Sequence, residues 1–466
     1  MRAIESLTLE EIAEAIGGRL TGAGSVSSVS TDTRSLQPGS LFVALKGPSH
    51  DGHDFVEAAL SAGASCLLVE REVEGDVPCI IVPDTLRAIQ ALAALMFKRA
   101  RENGMRSVAV TGSNGKTTVK EMLGALFLAS GRDVYVTPGN FNNHIGLPLT
   151  ITNAPAPGPN TVWVLEMGAN QFGDIRELIE IAPADCRVVT SIGASHLEKL
   201  GDLDGVRRVK SEIFEHSTRD TCAVMPFDEA ERLNLKSFQG RVYTVGQAQS
   251  SDVRLVRATS SGSGQDVEVS GDSQTARYSL SLPGRHNALN LATSLAALYA
   301  LREPWPKGGD SLSELELPGG RLRWQELGNW RVLNDTYNAN PNSMEASFEA
   351  FLDVVPSGKR IAVIGEMREL GKEAKRLHRQ TARRIASLGG VDALVFVGSF
   401  SSEMGDAARE VQGEASVHEF ESVRDVALFL RDHLSEELFL FLKASRGVKL
   451  ERLLELLKAD GVGDVI

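Results

Sequence analysis

The sequence predicts an α/β protein of three domains: a small N-terminal α/β module, a central parallel sheet built around a glycine-rich P-loop, and a C-terminal Rossmann-like domain. Three observations predict it. At 466 residues the chain exceeds what one hydrophobic core usually supports. Short apolar runs alternate with amphipathic helical stretches, the pattern of parallel sheets covered by helices on both faces. The alternation breaks near Asn103 and Gly104, and again over residues 302–309, where Pro304, Pro306, Gly308 and Gly309 cluster. The predicted domains are therefore residues 1–103, 104–309 and 310–466.

The first module opens with a helix over 9–16, which Thr8 and Glu11 can cap reciprocally and Gly17 can end. An apolar strand at 40–45, a helix near 55–62 and a strand at 66–69 follow, and a long amphipathic helix over 85–101 leads out. The central domain reads as strands at 108–110, 134–136, 162–165 and 187–190, with a helix over 116–128 after the first. Residues 252–282 are Ser/Gly-rich with short alternating runs, which fits surface hairpins, and a helix over 288–301 closes the domain. The last domain shows strands at 360–364, 394–397 and 438–442, with helices near 342–352, 374–388 and 448–457. Ligands of such sheets sit beyond the C-terminal ends of the strands.

Composition narrows the function. With 42% hydrophobic and 24% charged residues this is an ordinary globular chain. No apolar run is long enough to span a bilayer and no signal-peptide pattern opens the sequence, so a cytoplasmic protein without membrane insertion is expected. A net charge of -12 argues against nucleic acid as a partner, and an anionic substrate would have to be met by local cations and metal. Cys66, Cys79, Cys186 and Cys222 lack zinc or redox spacing and read as buried free thiols.

The chemistry is announced at Thr111-Gly112-Ser113-Asn114-Gly115-Lys116-Thr117-Thr118, between a strand and a helix. Glycines there let backbone N–H groups approach a polyphosphate at the helix N-terminus, Lys116 adds a point charge, and Thr117 can place a hydroxyl on Mg2+. ATP or a close relative is the expected ligand. Val110 occupies the first glycine position of the usual G-x-x-x-x-G-K-[ST] spacing. Glu166 ends a strand and would emerge at the same edge, where a hard cation wants oxygen ligands. Alone, such an acid is more often solvated or a helix cap. His196 follows another strand, and by itself is as well read as a satisfied surface or core histidine. Lys210 by default is a solvated lysine.

Further motifs stand in order around these residues. Asp32-Thr33-Arg34 and Asp51-Gly52-His53 lie in the first module. Gly139-Asn140-Phe141-Asn142-Asn143-His144, Glu166-Met167-Gly168, His196-Leu197-Glu198 and Pro283-Gly284-Arg285-His286-Asn287 lie in the centre. Asn334-Asp335-Thr336-Tyr337-Asn338-Ala339-Asn340-Pro341 and Ile364-Gly365-Glu366-Met367-Arg368-Glu369-Leu370-Gly371 lie in the last domain. Through them nearly the whole chain resembles the ATP-dependent Mur ligases of peptidoglycan synthesis, whose short loop lacks the first glycine. The run ending at Pro341 resembles the branch that adds D-alanyl-D-alanine. Glu366, Ser191 and Ala444 depart from that branch, which commonly has Asp, Asn and Gly there. Ala444 matters most, since a backbone needing positive φ would be strained by a Cβ.

The resemblance implies an EC 6.3.2 ligase joining D-alanyl-D-alanine to UDP-N-acetylmuramoyl-tripeptide through an acyl phosphate, in a monomer that uses ATP and two Mg2+ ions. It implies that Gly112 to Thr118 hold the nucleotide with Lys116 in the chemistry, and that Thr117 and Glu166 hold one metal. His196 and Lys210 would serve the second, with Lys210 first carbamylated by CO2. Asn287 and Asn290 would take the adenine side, and Arg321 and Asp335 the phosphates and ribose. Tyr337 would stack near the nucleotide or simply pack in the core. Asp32, Arg34, Lys46, Asn140, Asn142 and Asn143 would bind the UDP-sugar-peptide, making the first module the substrate domain. Lys443, Ser445 and Arg446 would take the dipeptide carboxylate. Ligands drawn from all three domains imply that the third closes on nucleotide. Two rivals are weighed: a folylpolyglutamate synthetase-like ligase, which lacks the N-terminal module in this form, and a nucleotide-dependent switch, against which the second-substrate motifs argue.

Overall fold

The computed structural model describes residues 2–271, 274–307, 310–355, 357–413, 416–433 and 437–458, in a three-domain α/β fold with one sheet per domain. Gly308 and Gly309 of the predicted linker, residues 272–273 of the predicted hairpins and residues 459–466 lie outside that set.

The N-terminal sheet contains β1 (Arg19–Thr21), β2 (Ser28–Ser30), β3 (Ser40–Val43), β4 (Cys66–Val69) and β5 (Cys79–Ile81) in the order β1-β5-β4-β3-β2. Only β1 runs antiparallel to its neighbour. The helix Leu9–Ile16 begins with the capping box, Glu11 N–H donating to Thr8 Oγ1 and Thr8 N–H to the Glu11 carboxylate, and ends at Gly17 in the left-handed conformation.

Among the described residues the central sheet has nine strands: β6 (Arg106–Thr111), β7 (Asp133–Val136), β8 (Thr161–Glu166), β9 (Cys186–Val189), β10 (Cys222–Pro226), β11 (Arg241–Gly246), β12 (Val253–Ser261), β13 (Gly264–Gly271) and β14 (Gln274–Leu280). Their order is β14-β13-β12-β11-β10-β9-β6-β8-β7. The strands from β7 to β12 are parallel, and β12, β13 and β14 add an antiparallel edge. The Ser/Gly-rich segment expected as surface hairpins therefore extends the central sheet itself. Because β6 lies between β8 and β9, the chain reverses its winding there, and the crevice beyond that point is where doubly wound sheets bind ligands.

The first two domains share one core. Ile12, Ile89 and Phe97 pack in the same cluster as Leu147, Ile151, Trp163 and Ile175. Phe97 and Trp163 are almost fully buried with ring centroids 6.2 Å apart, each contributing on the order of 2–3 kcal/mol of transfer free energy. The helix Gly146–Thr152 carries the seam: Asn153, just beyond it, accepts from Val29 N–H at 3.0 Å and donates to Val29 O at 2.9 Å, and Arg2 bridges to Pro155. The other face of the central sheet is covered by the helices Lys116–Ala129 and Arg285–Ala300.

The third sheet orders β15 (Arg323–Leu327), β16 (Trp330–Asp335), β17 (Arg360–Gly365), β18 (Ala393–Val397), β19 (Val417–Phe420) and β20 (Leu438–Lys443) as β15-β16-β20-β17-β18-β19. All but β15 are parallel, and apolar cores cover both faces. Ala444, buried just after β20, is not among the residues with positive φ. The expected strain is absent because the backbone there needs no left-handed turn. A Cβ added at Gly365 would lie 2.7 Å from the Ala444 methyl, so the bare Gly365 makes room for it.

The four cysteines are free and mostly buried, as expected, and burial raises their thiol pKa, that of Cys66 to about 12. Cys186 and Cys222, far apart in sequence, are register partners on β9 and β10.

Candidate active site

The loop after β6 is shaped by contacts that a side chain would destroy. Gly112 has φ +148°, and a Cβ there would sit 2.0 Å from Thr190 Oγ1; Gly115 has φ +82°, and a Cβ would sit 2.5 Å from Asn290 Oδ1. The loop is also tied to the strand end beside it. Ser113 N–H donates to Ser191 O at 2.9 Å, Ser113 Oγ to Gly193 O at 3.0 Å, and Asn114 N–H to Ser191 Oγ at 3.0 Å. The Ser191 hydroxyl donates in turn to Asn114 O at 3.1 Å, so this departure from the branch pattern is absorbed into bracing the loop.

Lys116 opens the helix and bends back over the loop, donating from Nζ to Gly112 O at 2.7 Å and Ser113 O at 3.3 Å. Burial lowers its pKa, Glu166 opposes that shift and Arg321 adds to it, so a cation is held in a partly dehydrated place beside a second one. Thr117 Oγ1 donates to Glu166 Oε2 at 2.9 Å, and Asn142 Nδ2 to Glu166 Oε1 at 2.8 Å. Glu166 is 1% exposed and forms no ion pair among the described residues. A buried carboxylate served only by neutral donors, with a hydroxyl at its side, is an oxygen set that suits a hard cation. No group of three His, Cys, Asp or Glu side chains poised for a metal occurs among the described residues.

A cavity of about 660 Å3 lies over this loop, between the central and third domains. Ser113, Asn114, Gly115, Lys116, Thr117 and Thr118 line it with Asn140, Asn142, Asn143, Glu166 and His196. Asn287 and Asn290 line it from the helix Arg285–Ala300, and Arg321, Asp335, Tyr337 and Lys443 from the third domain. Within it Asn143 is already spent on capping, its Oδ1 accepting from Ile145 and Gly146 N–H, whereas Asn140 is exposed. Asn290 Nδ2 donates to Asn287 Oδ1 at 3.2 Å. His286, part of the Pro283-to-Asn287 motif but with no role implied by it, also lines the cavity, and burial pulls its pKa down to about 4, leaving a neutral imidazole.

The other predicted residues lie off this cavity. Lys210 is 1% exposed, has no ion pair among the described residues, and burial together with the Lys116 charge pulls its pKa down to about 7. Asp174, at the start of the helix Asp174–Ile181, opposes that shift and does line the cavity. No motif marked Asp174. In the first domain Asp32 and Arg34 pair with each other at 2.7 Å, which holds the Asp32 carboxyl at about 2, and the Lys46 backbone bridges to Asp51.

In the third domain the side chains are largely committed to one another. Asp335 and Lys443 are register partners at the ends of β16 and β20 and form an ion pair, which Ser347 Oγ joins at 2.6 Å. Ser445 Oγ accepts from Arg368 N–H at 2.9 Å, and Glu366 receives Ser399 N–H and Arg368 Nε. Tyr337 lies 3.6 Å from the Arg321 guanidinium and 5.2 Å from that of Arg446. Ser445 and Arg446 do not line the cavity.

Two clasps cross from the third domain to the centre. His196 Nδ1 meets Glu369 Oε2 at 2.6 Å, Glu198 N–H donates to Glu369 O at 3.1 Å, and both His196 and Glu369 have left-handed backbones. Asn114 and Asn340 exchange side-chain amide bonds of 3.3 and 2.7 Å. Only spatial neighbours far apart in sequence reveal these pairs.

Profiles of three families match in series: "Mur ligase family, catalytic domain" at residues 25–108, "Mur ligase middle domain" at 110–298 and "Mur ligase, glutamate ligase domain" at 320–446. The UDP-N-acetylmuramoyl-tripeptide--D-alanyl-D-alanine ligase of Bacillus subtilis is 33% identical over 457 residues, 96% of this chain and 97% of its own. A crystal structure of MurF from Acinetobacter baumannii superposes with a TM-score of 0.87 at 26% identity, covering 98% of this chain and 100% of the other. MurF ligase from Thermotoga maritima in complex with ADP gives 0.79 at 30% identity, covering 93% and 98%.

Proposed function

The chain belongs to the Mur ligase family, and from that premise we propose how its cavity works. It is an ATP-dependent ligase that adds D-alanyl-D-alanine to UDP-N-acetylmuramoyl-tripeptide. In the proposed route the γ-phosphoryl group of ATP passes to the terminal carboxylate of the tripeptide, releasing ADP. The dipeptide amine then attacks the acyl phosphate, expelling phosphate as the amide forms and the amine loses its proton. The observation that carries this reading is the convergence, at one cavity, of a phosphate loop, a buried carboxylate with no ion pair among the described residues, and cations from two domains.

Three anionic groups must meet there, so the cations do the essential work. Lys116 would leave its own loop carbonyls for the phosphates as they arrive, and Arg321, whose buried Nε has no hydrogen-bond partner among the described residues, faces the same space. Thr117 and Glu166 would hold Mg2+ at the phosphates, with His196 and Lys210 serving a second ion. When bound, Mg2+ neutralises phosphate charge as it moves toward the leaving oxygen. Lys210 suits carbamylation, since an amine titrating near 7 is substantially unprotonated at neutral pH and can add CO2.

Asn287 and Asn290 would take the adenine side, with Asp335 and Tyr337 close to the nucleotide. Asp32, Arg34, Lys46, Asn140, Asn142 and Asn143 would serve the UDP-sugar-peptide. Of Lys443, Ser445 and Arg446, only Arg446 keeps a guanidinium without an ion pair among the described residues, which favours it for the dipeptide carboxylate. We place the enzyme in the cytoplasm as a monomer, with domain boundaries near 103 and 309. The third domain closing over nucleotide would keep water from the acyl phosphate. Phosphate release measured with ATP, UDP-muramoyl-tripeptide and D-alanyl-D-alanine, omitting each in turn, tests the reading. Full release is expected only with all three, and release indifferent to the dipeptide would overturn it.

A further inference from the structure

The asparagine run before Pro341 is the most distinctive stretch of the third domain, and its side chains are used in an unexpected way. Asn340 caps the helix Pro341–Val354: its Oδ1 accepts from Ser343 N–H at 2.9 Å, and its own N–H donates to Ser343 Oγ at 3.0 Å. That cap fixes the orientation of the amide, because the oxygen must face the helix. The Nδ2 group is thereby turned outward, and it donates to Asn114 Oδ1 at 2.7 Å on the phosphate loop. Asn114 Nδ2 returns a bond of 3.3 Å to Asn340 Oδ1. Two residues on, Asn342 Oδ1 accepts from Ala194 N–H at 3.3 Å and lies so near Gly193 that a Cβ there would approach it to 2.8 Å.

Asn114 is held from behind as well. Its backbone N–H and O are bracketed by the Ser191 hydroxyl, and Thr190 Oγ1 also donates to its O. These bonds fix the Asn114 backbone to the loop, and its side-chain amide is held by Asn340. We propose that Asn340 is a positioning residue that docks the third domain on the phosphate loop through Asn114, so that the domain serving the dipeptide settles only on a correctly formed loop. The run is then a docking element and not a lining of the dipeptide pocket. This rests on the ligase reading above, which the parent enzyme's own three-substrate phosphate release tests separately.

The experiment is a double-mutant cycle on the full chain with Asn114→Ala and Asn340→Ser, serine being chosen because it preserves a cap while falling short of the loop. Each single change is expected to lower kcat by roughly 5- to 30-fold, the range of one or two ordinary hydrogen bonds. In the Asn340 variants the KM for D-alanyl-D-alanine and the affinity for a fluorescent ATP analogue in the absence of other substrates should stay within about twofold, since Asn340 acts on docking. The double variant should be no slower than the worse single. Asn340→Asp keeps the capping acceptor but replaces the outward donor with a charged acceptor facing Asn114 Oδ1, and it should share the defect. A rise in the dipeptide KM with kcat intact would return the run to the dipeptide site and overturn the proposal. Single effects that multiply in the double variant, or an Asn340→Asp enzyme as fast as the parent, would overturn it equally.

Discussion

The central sheet and the third sheet both present a lysine near an acid at their strand ends, and they treat the two charges in opposite ways. At the centre Lys116 is turned onto loop carbonyls and Glu166 onto a hydroxyl and an amide, so neither charge is neutralised by the other. In the third sheet Lys443 and Asp335 sit at register positions and pair directly. Charges left on neutral partners are available to a ligand, whereas a buried pair has already spent its attraction on itself. The first end is built for a polyanion and the second is built to hold two strands and a helix in place.

The largest effect that could break this contrast is at the loop. Lys116→Ala should reduce kcat by about a thousandfold, the scale of removing a charge that acts on the transferring phosphoryl group, with the urea midpoint nearly unchanged. Activity within tenfold of the parent would remove the basis of the contrast. Asp335→Asn should act chiefly through the fold, costing about 3–5 kcal/mol of stability in urea denaturation because it strands the buried Lys443 cation. Adding Lys443→Met to it should recover part of the loss.

Lys210 sharpens the comparison, because it is a buried amine with no acid paired to it among the described residues. While it is unmodified, its folded pKa of about 7 lies below the usual 10.5, so the unfolded chain binds more protons between those values and stability should rise with pH across that window. The slope approaches about 1.4 kcal/mol per pH unit at most. Lys210→Met should flatten it in urea titrations run from pH 7 to 10, and a parent protein with no rise there would show that the amine is charged or modified in the fold. The smallest effect is at Ala444. Since no positive φ is needed, Ala444→Gly should lower stability by about 1 kcal/mol, and an increase in Tm would mean that the strain expected from the sequence exists after all.

What could be read in advance followed local chemistry. The helix Leu9–Ile16 was legible to the residue because its cap, its stop and its apolar face all lie within it. The loop was legible for the same reason, its glycines and lysine encoding backbone shape and charge in one short stretch. Strands β1, β2 and β5 escaped because three residues are too few to show alternation, and β10 because it ends in a proline. The site was half legible. Glu166, His196 and the asparagines were found by motif, but Asp174 and Glu369 gain meaning only from neighbours the fold supplies. Asn340 marks the branch by its local sequence, while its partner lies 226 residues away. Asp32, Arg34 and Lys46 show the opposite case, a motif whose residues stand apart from the main cavity.

The seam between the first two domains bears on how the chain is made. Val29 waits for Asn153, 124 residues later, and the core around Phe97 is incomplete until Trp163 follows. At ordinary rates of synthesis the first module is exposed on the ribosome for roughly ten seconds before its covering helix exists. A nascent chain halted between those points would present an apolar face to whatever surrounds it. That interval, more than any weakness in the finished enzyme, is where this protein would call on a chaperone.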